Sequence, residues 1–117
     1  MTDVEAIERE TRVPAVVVDE LGMITSVNEA FAAAFGWTAT DLVGKSLTTI
    51  IPDHLHDAHN LGFSRFLLTG HPTLLGRPLK LGAKTKAGEI VDAEHTIFAE
   101  RRSGRWIFGA TIRPSSS

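Results

Sequence analysis

Residues 23–37 read Met23-Ile24-Thr25-Ser26-Val27-Asn28-Glu29-Ala30-Phe31-Ala32-Ala33-Ala34-Phe35-Gly36-Trp37, and they hold a change of backbone period. Met23 to Val27 is rich in β-branched residues and predicts a strand. Asn28 then stands where a helix needs a side chain to cap its free N–H groups. Glu29 to Phe35 is alanine-rich, with Phe31 and Phe35 four apart and therefore on one inner face. Gly36 ends the helix, since a residue without Cβ takes the left-handed cap conformation at little cost. A strand that passes straight into a capped helix is the start of a layered α and β arrangement.

Upstream, Pro14 to Asp19 predicts a buried strand, and Asp19-Glu20-Leu21-Gly22 a turn with Gly22 at positive φ, which makes a hairpin with the strand that follows. Residues 3–10 place Val4, Ala6 and Ile7 among acidic residues, a short helix with a narrow apolar stripe. So short a helix does not persist alone in water, so it must pack on the domain or on a second copy. Downstream, Thr38-Ala39-Thr40-Asp41 has capping-box spacing and opens a small helix that closes at Gly44. Ser46 to Ile51 forms another short apolar element before Pro52. The longest helix is expected over roughly Asp53 to Thr69, and Gly70-His71-Pro72 breaks it. Three strands complete the chain, Leu74 to Lys84, Glu89 to Glu100 and Arg105 to Arg113, joined by turns at Lys86-Ala87-Gly88 and Arg102-Ser103-Gly104. Two strands, a helical block and three consecutive strands imply an α+β domain with a five-stranded antiparallel sheet. Its helices cover one face and leave a ligand pocket between the layers. The expected division is a cap helix over residues 1–12, the domain over 13–113 and a linker tail over 114–117.

Composition narrows the function. With 117 residues the chain buries a core without staples, and a net charge of -2 gives no attraction for nucleic acid or anionic membrane. Arg101, Arg102 and Arg105 are a solvated hairpin cluster. There is no cysteine, which removes disulfides, thiolate metal centres and thiol nucleophiles together. The acidic start has no signal-peptide pattern, and the longest apolar run, Pro14 to Val18, is too short for a bilayer. A cytoplasmic location is expected. No nucleophile-elbow, phosphate-loop or H-E-x-x-H pattern is present, so no catalytic activity is expected.

These pieces, in this order, resemble the PAS family. The matching residues are Gly22-Met23-Ile24, Val27-Asn28-Glu29-Ala30-Phe31, Phe35-Gly36-Trp37, Asp41-Leu42-Val43-Gly44, Ile51-Pro52, Lys86-Ala87-Gly88-Glu89 and Gly109-Ala110-Thr111-Ile112-Arg113. The resemblance spans about residues 13–113. It implies the PAS fold and a sensory role, in which a small molecule or a partner is read in the pocket and passed to an output domain or partner protein. Where the family often ends in Asp-Ile-Thr, this chain has Arg113-Pro114-Ser115.

Ile51-Pro52-Asp53-His54-Leu55-His56-Asp57-Ala58-His59 resembles the stretch before the iron-binding histidine in heme-PAS oxygen sensors, and Leu74-Leu75-Gly76 keeps their downstream register. That resemblance implies heme b with His59 as its iron ligand, for gas or redox sensing. The residues are consistent with it, since Leu55, His59, Phe63 and Phe66 share one helical stripe and His59 is directed to the core. A core histidine that bonds a backbone carbonyl satisfies the same pattern. The distal wall departs from those sensors, with Leu79 where the oxygen-sensing histidine kinases among them have arginine and Arg77 where the oxygen-sensing phosphodiesterase among them has methionine. Arg77 either turns inward or lies in solvent. Alternation in the strand places Val91, Ala93, His95 and Ile97 on one face, which the resemblance makes the distal lining. His95 is thus a second axial ligand, a hydrogen-bond donor to bound gas, a polar group for another ligand, or a residue paired with Asp or Glu across the sheet.

Adduct-forming flavin photosensing needs a cysteine and is excluded. The alternative to heme is a protein-interaction module whose pocket is empty, lipid-filled or holds non-covalent flavin. Ala30, Ala32 to Ala34, Ala58, Gly62 and Ala93 leave room for a cavity. His54 and His56 do not share a helix face, His56 and His59 lack the carboxylates of a metal site, and His71 lies in a turn. A homodimer is expected, through the N-terminal helix and the outer sheet face.

Overall fold

The computed structural model describes residues 4–69 and 78–115. Its elements are α1 (Val4–Arg9), β1 (Ala15–Asp19), β2 (Ile24–Val27), α2 (Glu29–Phe35), α3 (Ala39–Leu42), α4 (His56–Thr69), β3 (Leu79–Lys84), β4 (Ile90–Arg102) and β5 (Arg105–Pro114). All five strands pair antiparallel in the order β2-β1-β5-β4-β3. Two short 3-10 turns, Leu47–Ile50 and Asp53–Leu55, precede α4. The expected long helix therefore opens as a 3-10 turn after Pro52 and becomes α-helical at His56.

The local signals act as their chemistry requires. Asn28 Oδ1 accepts from Phe31 N–H at 2.9 Å, and Gly36 takes φ 80° to close α2. Thr38 and Asp41 form the reciprocal capping box of α3. Gly22 adopts φ 79° in the first hairpin, and Ser103 and Gly104, both at positive φ, form the tight β4–β5 turn. Strand β3 begins at Leu79; the expected stretch from Leu74 and the break at Gly70-His71-Pro72 lie outside the described residues.

Alternation divides the sheet into two faces. The inner core joins Val16, Val18, Ile24, Ala83, Ala93, Phe108 and Ile112 to Phe31, Phe35, Leu42, Ile50 and Phe66 from the helical side. On the outer face, Val4 and Ile7 of α1 pack against Ala15 and Val17, with Phe98 and Ile107 at the margin. Gly109 permits this approach, since a Cβ there would lie 3.2 Å from Ile7. Arg102 holds the helix by a two-pronged ion pair to Glu8, at 2.7 and 3.1 Å, and also binds Glu100. The N-terminal helix thus packs on its own domain, and the apolar residues expected for a dimer contact are already covered.

Candidate functional site

The inner face of β4 carries Val91, Ala93, His95, Ile97 and Ala99. In register, His95 faces Leu79 on β3 and Ile112 on β5, Ala93 faces Leu81, and Ile97 faces Ala110. The row has two halves. Towards the β4–β5 turn it is aromatic: Phe63 and Phe66 of α4 pack on Phe108, with ring centroids 5.0 and 5.2 Å apart, and Phe66 meets Trp106 edge-on at 4.7 Å. Around His95 the side chains are aliphatic, and Ala93 and Ala110 among them are small.

His95 is 7% exposed, and among the described residues its Nε2 has no hydrogen-bond partner. Burial lowers its pKa, because water that would solvate the imidazolium is excluded; the backbone of Leu81 and Gly82 acts weakly the other way. The ring is therefore neutral near neutral pH. The expected alternative of a carboxylate partner across the sheet is corrected here, since its cross-strand neighbours are Leu79 and Ile112. The signal was available, because neither Leu79–Lys84 nor Arg105–Pro114 contains an Asp or Glu in any register.

His59 lies half-buried on α4, its ring stacked on Phe63 with centroids 6.0 Å apart and planes inclined by 24°. Burial first, and the charge of His56 second, lower its pKa. His56 is tied elsewhere, its Nε2 donating to the Ile51 carbonyl at 2.7 Å. Leu55, Phe63, Leu79 and Ile97 are half-buried and Phe66 is buried, whereas Leu75 and Arg77 lie outside the described residues. No cluster of three or more metal-binding side chains occurs among the described residues. A surface hollow of about 470 Å3 beside Phe35, Gly36 and Thr85–Lys86 includes neither histidine. Trp106, Phe108, Ala110 and Ile112 also belong to the inner face, beyond the residues expected there. Their even spacing in Arg105 to Arg113 was the signal.

A five-stranded antiparallel sheet with one face under short helices makes up an α+β domain, and its inner face buries a polar atom that has no partner among the described residues. The PAS fold profile matches residues 2–95, and the chain belongs to the PAS family of sensory and signalling domains. It is 38% identical over 109 residues to an uncharacterised protein of Azorhizobium caulinodans, covering 92% of this chain and 15% of that protein. It also resembles the PAS domain of an HTR-like protein from Haloarcula marismortui, with TM-score 0.70, 22% identity and coverage of 95% and 88% of the two chains. A third likeness is to a LOV protein of Rhodobacter sphaeroides, with TM-score 0.67, 15% identity and coverage of 95% and 64%. At these identities the two solved structures share the fold alone.

Proposed function

We propose that this domain senses a small ligand held between α4 and the inner sheet face, with the His95 imidazole as the group that meets it. The observation that carries the reading is the buried Nε2 of His95 with no partner among the described residues. An unpaired buried polar atom costs about 1–3 kcal/mol, and a ligand atom that bonds it recovers that cost. Xenon tests the reading as a neutral probe of interior space. Under xenon pressure, amide signals of Ala93, His95, Ile97 and Ile112 are expected to shift, and an unresponsive inner face refutes it.

Heme held by His59 is a second reading, favoured by one observation: His59 is half-buried against Phe63, and burial favours its neutral ring, the form of imidazole that binds iron. The donor chemistry fits, whereas the adjacent space is filled by Phe63 against Phe108, so a porphyrin requires Phe63 to turn aside. Titration with hemin decides it. A Soret band that His59→Ala abolishes and His95→Ala merely shifts supports heme, and a band indifferent to His59→Ala rejects it. Adduct-forming flavin is excluded because the chain has no Cys, and a non-covalent flavin would find few side-chain amides for its dione edge, since the chain has no Gln and two Asn, Asn28 and Asn60. Asn28 is engaged elsewhere, bonding Ala15, Phe31, Glu10 and Val13.

The chain spans about 15% of its Azorhizobium relative's length, so the output belongs to another part of such a protein or to a partner. A cytoplasmic location and no catalysis of its own are what we expect of the domain, and a homodimer would need a surface other than Val4 and Ile7, which pack on the chain's own sheet. No helix among the described residues is long and apolar enough to cross a membrane.

A further inference from the structure

We infer that the part of the ligand that meets His95 is uncharged, largely apolar and carries a single hydrogen-bonding group. This rests on the reading that the inner face is the ligand site, and it adds the chemistry that the site selects. His95 is one polar group in an apolar row: Ala93 and Ile97 lie two residues to either side on β4, Leu79 and Ile112 directly across, and Ala110 on the diagonal. Along the inward-facing positions of β3, β4 and β5, the one charged side chain is Arg101. It stands six positions from His95, roughly 20 Å along the strand, with its guanidinium 5.4 Å from the centre of the Trp106 ring. No cation on these strands is therefore placed to receive a carboxylate or phosphate at His95.

The ring itself does not supply one. Charging it would place an imidazolium among aliphatic side chains with no counter-ion on either flanking strand, a costly arrangement. A neutral imidazole offers one donor and one acceptor nitrogen, so a hydroxyl or an amide, which both donates and accepts, satisfies Nε2 in either tautomer, whereas an anion can only accept and brings an uncompensated charge into the apolar row. The small residues beside it on the same side, Ala93 and Ala110, suit a flat or compact apolar body next to that polar group.

Three matched probes test the inference: phenol, toluene and benzoate, which differ in having a neutral hydroxyl, no polar group and a negative charge. Each is titrated into the folded domain at neutral pH and followed by amide chemical shifts at Ala93, His95, Ile97 and Ile112. Phenol is expected to bind about five-fold more tightly than toluene, the worth of one net hydrogen bond. Benzoate is expected to leave these amides unmoved at the phenol concentration giving half-saturation. His95→Phe should remove the phenol preference, and His95→Gln, which returns an amide near the same place, should restore part of it. Benzoate binding as well as phenol, or a phenol preference unchanged in His95→Phe, overturns the inference while a positive xenon response leaves the site standing. If neither xenon nor phenol moves these amides, the site reading and the inference fall together.

Discussion

Gly109→Ala tests the docking of α1, and its cost is expected to depend on the residue at position 7. Gly109 lies between Val17 on β1 and Phe98 on β4, on the outer face beneath α1. A methyl there would stand 3.2 Å from Cδ1 and Cγ2 of Ile7 and 3.3 Å from its Cβ. Carbon atoms rest in contact at about 3.5–4.0 Å, so α1 must retreat by a few tenths of an ångström. Overpacking of this kind costs about 1–3 kcal/mol. Against it stands the gain of about 0.4–1 kcal/mol from replacing glycine by alanine, which narrows the unfolded chain's freedom. The net expectation is a loss of up to about 2.6 kcal/mol in the native background. Ile7→Ala removes Cδ1 and Cγ2 but keeps Cβ at 3.3 Å, so in that background the cost of Gly109→Ala should shrink by about 1 kcal/mol without vanishing. Urea unfolding of the four proteins in the cycle measures both effects. Agreement of the two Gly109→Ala values within about 0.5 kcal/mol, the usual limit for independent sites, would refute the contact between α1 and β5 as the cause.

Two further perturbations probe the inner face and the N-terminal junction. His95 has a pKa lowered from 6.5 by burial, so the folded state resists a proton that the unfolded chain accepts. Its contribution is therefore constant above about pH 6.5 and becomes destabilising as pH falls below that value. The slope approaches about 1.4 kcal/mol per pH unit until the folded-state pKa is reached. His95→Leu should flatten this part of the stability-against-pH curve; an unchanged slope assigns the acid sensitivity to other groups. Asn28 accepts from Ala15 and Phe31 N–H at 3.0 and 2.9 Å, and its amide donates to the Glu10 and Val13 carbonyls at 3.0 and 2.8 Å. Asn28→Ala should cost about 2–4 kcal/mol by thermal or urea unfolding. Asn28→Asp should cost a similar amount despite keeping the cap oxygen, because a carboxylate then faces two carbonyls. A fully stable Asn28→Asp would show that the cap alone matters.

The elements of this fold were legible wherever one residue type settles the backbone. Asn28, Gly36 and the Thr38–Asp41 pair act at their own positions and need nothing from the rest of the chain. What the sequence could not show is how two distant segments meet. The loss of a Cβ at Gly109 gains its meaning from Ile7, which lies about a hundred residues away and reaches it across the outer face. For the same reason the N-terminal stripe of Val4 and Ile7 left open whether it would cover its own sheet or a second copy.

His95 falls between these cases. Alternation alone put it on the same face as Val91, Ala93 and Ile97, and it put Asp92 and Glu94 on the other, so no carboxylate of its own strand was within reach. The flanking strands settle the rest, since β3 and β5 contain Lys and Arg but no acidic residue. A slip of one residue on either side would have exchanged Leu79 or Ile112 for a neighbour from the opposite face, and still supplied no acid. The want of an acidic partner on the flanking strands is thus a property of their composition and holds under any register error. That makes His95 a sturdier starting point for the ligand search than His59, whose neutral state follows from burial on a stripe that a purely structural histidine satisfies equally well.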